Sequence, residues 1–218
     1  RLVRHIVAYS PNPQTLQQAQ DMGVIHAATN CPADAVAQAD LVVVAVPVAA
    51  SEKVFLAIAD SLSEHAIVTD VGSTKQNVIE AAETAFGPRI GQFVPAHPIA
   101  GKEVAGIAYA DADLYRGKQV ILTPTRSTRI GALQQITALW EALGCKVQTM
   151  TPQAHDQFHV FADGVFFVAF AAGKVASNFN NAVFVEKAES AGNDQQGVDL
   201  RPAETAGHEG PQVFDGLE

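Results

Sequence analysis

A single histidine, His97, lies in the apolar segment FVPAHPIAGKEVAG, directly before Pro98 and close to two glycines. A neutral imidazole, with an ordinary pKa of about 6.5, can accept a proton from a hydroxyl group. The proline stiffens the backbone beside it, and glycines allow a ligand to approach the chain closely. A lone histidine among apolar residues is more often structural, but this setting favours a general base held at a fixed angle.

Other candidate residues lie where predicted strands end. They are Ser10 after HIVAY, Val46 and Pro47 at the end of LVVVAVP, and Asp70 and Ser73 in AIVTDVGS. In sheets of parallel strands, ligands bind outside the carboxyl ends of the strands. These segments therefore predict a dinucleotide site.

Ser73 has a structural interpretation that is compatible with a role in a site. The segment STKQ matches a capping box, with Ser73 as the N-cap of a helix and Gln76 three residues later. A capping hydroxyl at the end of a strand also faces the ligand crevice. Lys75 is predicted to be a solvated residue of the first helical turn.

Two histidines later in the chain have helical spacing. His155 and His159 are four residues apart, which is compatible with metal binding. No third ligand is evident nearby in the sequence, so the prediction is that there is no metal site. The pair His155–Asp156 has a simpler interpretation, since an acid near a helix N-terminus is favoured by the helix dipole.

Short apolar strands alternate with amphipathic helices through the first two thirds of the chain. The run LVVVAVP is continuous and β-branched, which is typical of a strand covered on both faces. Such alternation predicts an α/β fold with a mostly parallel, doubly wound sheet. Further on, Thr151 and Pro152 are predicted as the N-cap and first position of a long helix over residues 155–179.

The predicted domains are a nucleotide-binding domain over residues 1–150, the start of a helical domain over 151–185, and a disordered tail over 186–218. The tail is polar and rich in glycine, proline and acidic residues, so it has little apolar surface to bury. The helical segment carries two interrupting glycines.

The bulk composition excludes several classes of function. The 218 residues have a net charge of -9 and no cluster of Lys and Arg, which argues against nucleic acid and anionic membranes as partners. No apolar run reaches the roughly 18 residues that a membrane span needs. Cys31 and Cys145 are the only cysteines, so a disulfide framework is not expected and a cytoplasmic location is predicted.

The usual phosphate cradle of a dinucleotide site is absent from the sequence. That cradle is Gly-x-Gly-x-x-Gly after the first strand, and this chain contains no Gly-x-Gly. The expectation is that the first strand, its glycine loop and its helix lie upstream of Arg1. Without that strand, one flank of HIVAYS would be an unpaired sheet edge.

Four motifs together resemble the prephenate/arogenate dehydrogenase family. They are DVGSTK, AHPIAGKEVAG, LYRGKQVILTP and LWEALGCKVQTMTPQAHDQ, in the family's order and spacing. The resemblance runs from about His5 to Gln157. It implies an NAD- or NADP-dependent oxidative decarboxylation of prephenate or arogenate on the route to tyrosine. It also implies a Rossmann-like domain, here lacking its first strand, followed by a helical domain that makes homodimers, of which this chain shows only a part.

The resemblance also implies residue roles. His97 is the catalytic histidine that hydrogen-bonds the ring hydroxyl, and Ser73 lies between it and the nicotinamide. Lys102 and Glu103 line the substrate entrance. Ser10 stands where NAD-specific sites carry an acid, which predicts that NADP is accepted as well as NAD.

Beyond Gln157 the family pattern stops. A motif like Ser-His-Leu-Pro-His is expected about eight residues after His155, where this chain has DGVFF, and the family's carboxylate-binding arginine has no counterpart. Two alternatives therefore stay open, a non-catalytic nucleotide-binding or interaction module and another Rossmann dehydrogenase of the β-hydroxyacid type. The block HPIAGKE argues against the second.

Overall fold

The computed structural model describes residues 3–101, 106–158 and 179–186. The chain divides into two units, and all of these residues lie in the first, Arg1–Ala188. The predicted bounds at residues 150 and 185 stay predictions.

Nine strands and six α-helices are defined in the described part of the chain. The strands are β1 Val3–Tyr9, β2 Ala27–Thr29, β3 Leu41–Ala45, β4 Ile67–Asp70, β5 Phe93–Val94, β6 Ala96–Ile99, β7 Gln119–Leu122, β8 Lys146–Thr149 and β9 Phe179–Glu186. The helices are α1 Pro13–Asp21, α2 Pro32–Val36, α3 Ser51–Ile58, α4 Gln76–Phe86, α5 Ile130–Ala142 and α6 Pro152–Phe158. Short 3-10 turns cover Val48–Ala50, Ala59–Ser61, Gly87–Gln92 and Ile107–Tyr109.

The main sheet has six strands in the order β2-β1-β9-β3-β4-β5. Every pairing in it is parallel. The strand order reverses in the middle of the sheet, and the helices between strands lie on both of its faces, as in a Rossmann-like fold. The predicted fold class is therefore confirmed.

The centre of this sheet differs from the sequence-based expectation. β9 pairs along one side with β1, from Val3 opposite Phe179 to Tyr9 opposite Val185, and along the other side with β3. The expectation of an unpaired flank on HIVAYS was wrong, because a late segment of the chain occupies the position of a first strand. β9 pairs the backbone N–H and C=O groups on the flanks of β1 and β3 that face it.

β9 differs from the helix predicted over residues 155–179 at its last residue, and from the helical character predicted for the end of the segment 151–185. Residues 179–186 have the sequence FNNAVFVE, which is rich in aromatic and β-branched residues that favour strands. Pairing with β1 on one side and with β3 on the other makes these residues a strand. The start of the helix is confirmed, since the Thr151 hydroxyl accepts a hydrogen bond from the Ala154 N–H over 3.2 Å. Residues 159–178, and the tail after residue 186, lie outside the described residues.

A second, smaller sheet carries the histidine segment. Its order is β6-β7-β8, with β6 antiparallel to β7 and β7 parallel to β8. The chain leaves the main sheet at β5 and enters β6 one residue later, after Pro95. His97 therefore lies on a strand, opposite Ile121, and not on a free loop.

Alternating residues of β3 supply the apolar groups that pack on both faces of the main sheet. Leu41 and Val43 belong to one core cluster, together with Trp140 of α5. Val42 and Val44 belong to the other. This alternation confirms that LVVVAVP is a strand covered on both faces. No helix in the described part of the chain is long and apolar enough to span a membrane.

Candidate functional site

A buried ion pair lies at the carboxyl end of β4. The Lys75 ammonium group and the Asp70 carboxylate are in direct contact, and both residues are almost completely buried. Asp70 is the last residue of β4, and Lys75 is the residue before α4. Lys75 is therefore not the solvated first-turn residue predicted from the sequence. Its long side chain folds inward because a buried carboxylate is available to it.

The same pair holds the strand that carries His97. The Asp70 carboxylate accepts hydrogen bonds from the N–H of Ala96 over 3.1 Å and of Gly72 over 2.8 Å. The Lys75 ammonium donates to the Ala96 carbonyl oxygen over 2.8 Å. Both backbone groups of Ala96 are thus bound to the β4–α4 loop, and the position of His97 is fixed by its neighbour.

The ring of His97 is the end of a line of three side chains. Its Nδ1 lies 2.8 Å from Nε2 of His155, and Nδ1 of His155 lies 2.7 Å from Oδ1 of Asp156. The two rings meet edge to face, with centroids 5.0 Å apart. Both histidines are fully buried. The histidine predicted as catalytic is therefore oriented by a histidine–aspartate pair from α6.

Asp156 also caps α4. Its carboxylate accepts hydrogen bonds from the N–H of Lys75 over 2.8 Å and of Gln76 over 2.9 Å. The capping box predicted for Ser73 was wrong, because α4 begins at Gln76 and the N-cap position is Lys75, which has no side-chain cap of its own. A carboxylate from another helix satisfies the N–H groups that Ser73 was expected to satisfy.

The pKa values of Lys75 and Asp156 both differ from their ordinary values. Burial lowers the pKa of the Lys75 ammonium, although the Asp70 carboxylate opposes that change. Partial burial raises the pKa of Asp156, but hydrogen bonds from the Gln76 N–H, the His155 ring and the Lys75 N–H outweigh it. The pKa of Asp156 is therefore below its ordinary value. Asp156 is an ionised carboxylate at neutral pH.

The predicted cofactor-binding residues lie at the carboxyl edge of the main sheet. Ser10 follows β1, is buried, and its hydroxyl accepts a hydrogen bond from the Asn12 N–H over 3.2 Å. After β3, Val46 is buried and Pro47 is exposed. Ser73 is half-buried in the loop before α4.

The predicted substrate-entrance residues Lys102 and Glu103 lie outside the described residues. Of the metal-ligand pair, both ring nitrogens of His155 are engaged, by His97 and by Asp156. His159 lies outside the described residues. Among those that are described, no group of three potential ligands is close enough to hold a metal ion.

One side chain at the sheet edge fits a nicotinamide cofactor. The hydroxyl oxygen of Thr74, in the loop between β4 and α4, is buried and has no hydrogen-bond partner among the described residues. A buried polar atom without a partner is costly, and a polar ligand group such as a carboxamide would satisfy it. The sequence has no Gly-x-Gly, so it lacks the usual backbone N–H groups that bind the pyrophosphate of the cofactor.

The sequence singled out His97 as a candidate, and that role stays a prediction, but it did not indicate the burial of Lys75 or the capping role of Asp156. A lysine in a polar stretch has no property that marks it as buried. Asp156 contacts residues about 80 positions earlier in the chain, and only the helix-dipole interpretation of His155–Asp156 pointed to a helix N-terminus. That interpretation chose the wrong helix, because the carboxylate caps α4 and not its own α6.

Comparison with known proteins agrees with this architecture. Residues 2–149 match the family model described as prephenate dehydrogenase, nucleotide-binding domain. That match covers more than half of the chain.

Individual relatives are similar over the same region. The chain is 39% identical over 129 residues to a cyclohexadienyl dehydrogenase of Zymomonas mobilis, covering 59% of this chain and 43% of that protein. It is 32% identical over 154 residues to a prephenate dehydrogenase of Bacillus subtilis, covering 70% of this chain and 41% of that protein. The chain thus spans about two fifths of the length of these curated relatives.

A solved structure gives the same result. The chain resembles a prephenate dehydrogenase of Aquifex aeolicus in complex with hydroxyphenyl propionate and NAD+, with a TM-score of 0.65 and 32% sequence identity. The similarity covers 72% of this chain and 63% of that one.

Proposed function

The chain belongs to the prephenate dehydrogenase family, and we propose that it supplies the catalytic histidine and the nucleotide-binding edge for an NAD- or NADP-dependent oxidative decarboxylation of prephenate or arogenate. The observation that carries the proposal is the buried line from Asp156 through His155 to His97. A purely structural histidine has no need of a second histidine and a carboxylate that orient its ring.

In the proposed reaction, His97 accepts the proton of the substrate hydroxyl. As the O–H bond breaks, a carbonyl forms at the ring carbon, and the hydrogen on that carbon leaves with its electron pair. A bound nicotinamide supplies the acceptor for that hydride. The bond from the ring to its carboxylate then breaks, carbon dioxide leaves, and its electron pair aromatises the ring. The resulting phenolate takes the proton back from His97, so that protons balance.

The described residues divide the remaining work. Ser73 and Thr74, in the loop between β4 and α4, would hold the nicotinamide side of the cofactor. Ser10, at the end of β1, would lie near the adenosine ribose. The Asp70–Lys75 pair fixes the backbone before His97. Lys102 and Glu103 are proposed to line the substrate entrance, and a homodimer and a cytoplasmic location stay predictions.

Weak cofactor binding is expected of this chain. Without a glycine cradle the pyrophosphate loses two or three charge-assisted hydrogen bonds of about 1.5–3 kcal/mol each, which lowers affinity about a hundredfold or more. The expected kinetics are therefore a low rate that keeps rising with cofactor concentration.

The test is formation of reduced cofactor by the purified 218-residue chain, with prephenate or arogenate and with NAD or NADP, over a wide range of cofactor concentrations. A substrate-dependent rate that increases with cofactor concentration supports the proposal. If no reduced cofactor forms with either substrate, while calorimetry shows nucleotide binding, the chain is instead a non-catalytic nucleotide-binding module. This second function is favoured by the incomplete look of both ends of the site, without Gly-x-Gly at one end and without the family motif after Gln157 at the other.

A further inference from the structure

The line from Asp156 to His97 has a direction, because each of its hydrogen bonds needs one donor and one acceptor. The Asp156 carboxylate already accepts from two backbone N–H groups, those of Lys75 and Gln76, at the N-terminus of α4. These hydrogen bonds and the helix dipole favour its ionised form. An ionised carboxylate can only accept, so the Nδ1 atom of His155, 2.7 Å away, must carry the proton and donate it.

The tautomer of His155 then determines the tautomer of His97. A neutral imidazole with its proton on Nδ1 has a lone pair on Nε2, so Nε2 of His155 accepts. Its partner at 2.8 Å is Nδ1 of His97, which must therefore be the donor. A neutral His97 with its proton on Nδ1 has its own lone pair on Nε2.

We propose that His155 and Asp156 are positioning residues that set the tautomer of His97, so that Nε2 of His97 is the atom that accepts the substrate proton. The inference rests on the proposed function for the identity of that substrate, but the tautomer is a property of the chain alone. Neither residue touches the substrate in this assignment. Each acts through the next ring.

The arrangement also stabilises the charge that forms. When Nε2 of His97 takes the hydroxyl proton, the ring becomes an imidazolium cation in a fully buried position. Its Nδ1–H still donates to His155, whose own Nδ1–H donates to the Asp156 anion. The positive charge thus develops two hydrogen bonds from a fixed negative charge, in surroundings where water screens little. The proton returns to the phenolate oxygen at the end of the cycle, and the line returns to its starting state.

The direct test is nitrogen NMR of the histidine rings in the ¹⁵N-histidine-labelled 218-residue chain, because protonated and bare ring nitrogens differ strongly in chemical shift. At a pH where the rings are neutral, His97 and His155 should both show a protonated Nδ1 and a bare Nε2. His65 is the internal reference, since its side chain is 74% exposed and it should exchange between both tautomers. A protonated Nε2 on neutral His97 would overturn the proposal.

A matched pair of variants tests the cause. In Asp156→Ala the oxygen that accepts the Nδ1–H of His155 is removed, so nothing holds His155 or His97 in a single tautomer. The expected result is a spectrum in which His97 exchanges between both tautomers, as His65 does, with a severalfold fall in kcat and little change in the KM for cofactor. Asp40→Ala removes the carboxylate beside the exposed His65, 3.6 Å away, and should leave both His97 and kcat unchanged.

The outcomes separate this proposal from the proposed function. If the wild-type spectrum shows the expected tautomers but neither substrate is oxidised, the function fails and the tautomer assignment stands. If Asp156→Ala folds and leaves the spectrum of His97 unchanged, the positioning role fails, whatever the activity. If that variant does not fold, the wild-type spectrum alone decides the tautomer.

Discussion

The carboxylate of Asp156 accepts a hydrogen bond from the backbone N–H of Lys75 over 2.8 Å, joining α6 to the start of α4. The side chain of Lys75 points the other way and binds the Ala96 carbonyl oxygen. His97 is therefore held in two ways. Lys75 binds the backbone of the preceding residue, Ala96, and His155 binds the ring of His97 itself. Both sets of contacts involve the loop between β4 and α4. A change in that loop should therefore affect both the stability of the fold and the orientation of the His97 ring.

Replacing the candidate base tests the role of His97 directly. In His97→Asn the amide can still donate to His155, but it cannot take a proton from a hydroxyl group. We expect kcat to fall by about two to four orders of magnitude, the usual contribution of a general acid or base, with cofactor binding retained. Steady-state rates and calorimetric titration measure the two effects. His65→Asn, at an exposed histidine, is the control. A near-normal kcat in His97→Asn would contradict the role of His97 as the general base.

The ion pair beneath the site should dominate local stability. Lys75→Met leaves the Asp70 carboxylate buried without its cation, which should cost about 3–5 kcal/mol in the free energy of unfolding. The double variant Asp70→Asn/Lys75→Met should lose clearly less than the sum of the two single variants, since no uncompensated charge remains. Urea unfolding measures all three. Lys53→Met, at an exposed lysine of α3, is the matched control. A loss from Lys75→Met no larger than from the control would contradict the structure.

The sequence predicted much of this fold because its signals are local. The β-branched run at Leu41–Ala45 and the helix start at Thr151 and Pro152 both depend only on neighbouring residues. His97 was recognised for the same reason, from the proline and glycines around it. The site residues that sequence reasoning missed depend on distant partners.

Lys75 and β9 show why the rest was not predictable. Nothing adjacent to Lys75 marks it as buried, because its carboxylate lies at the end of the preceding strand and its carbonyl acceptor, on Ala96, is 21 residues away. β9 pairs with strands that lie more than 130 residues earlier in the chain. Whether an apolar segment becomes helix or central strand is decided by the sheet position open to it, which a local pattern does not contain.

Because the pKa of Asp156 is lowered in the folded chain, part of the free energy of unfolding depends on pH. Because its pKa in the folded chain lies below that of the unfolded chain, its contribution is complete above the unfolded value of about 3.9 and is lost as pH falls through the folded value. Asp156→Ala should cost about 0.5–2 kcal/mol at neutral pH, as for a lost helix cap. The gap between variant and wild type should shrink below about pH 4. Urea unfolding across this range measures it. An equal gap at every pH would refute the assignment, and Asp60→Ala at an exposed aspartate is the control.

The central position of β9 is tested by removing one backbone donor. Val183 lies opposite Val7 of β1 and Val42 of β3. Val183→Pro deletes an N–H between two paired strands and should cost at least about 1–3 kcal/mol, the usual penalty of an unsatisfied buried group. Hydrogen exchange at the amides of β1 and β3 should also accelerate. Val183→Ala keeps the N–H and serves as the comparison. If the proline variant is as stable as the alanine variant, β9 does not pair between β1 and β3.

Ser10 tests the choice between NAD and NADP. Its hydroxyl accepts a hydrogen bond from the Asn12 N–H at the carboxyl end of β1, where NAD-specific sites carry an acid that binds the ribose 2′-OH. Serine does not repel a 2′-phosphate, so the wild-type chain should bind NADP about as well as NAD.

Aspartate and asparagine can each keep the hydrogen bond to the N–H two residues on, so both substitutions preserve the local turn. They differ from each other mainly in charge. Ser10→Asp should therefore weaken NADP relative to NAD by about tenfold or more, which corresponds to about 1.4 kcal/mol, whereas Ser10→Asn should leave the ratio near that of the wild type. Calorimetric titration of the three chains with both nucleotides gives the ratios directly. Equal ratios in the aspartate and asparagine variants would show that the 2′ position does not lie near Ser10, and an NAD preference of a thousandfold in the wild type would show that another group selects the cofactor.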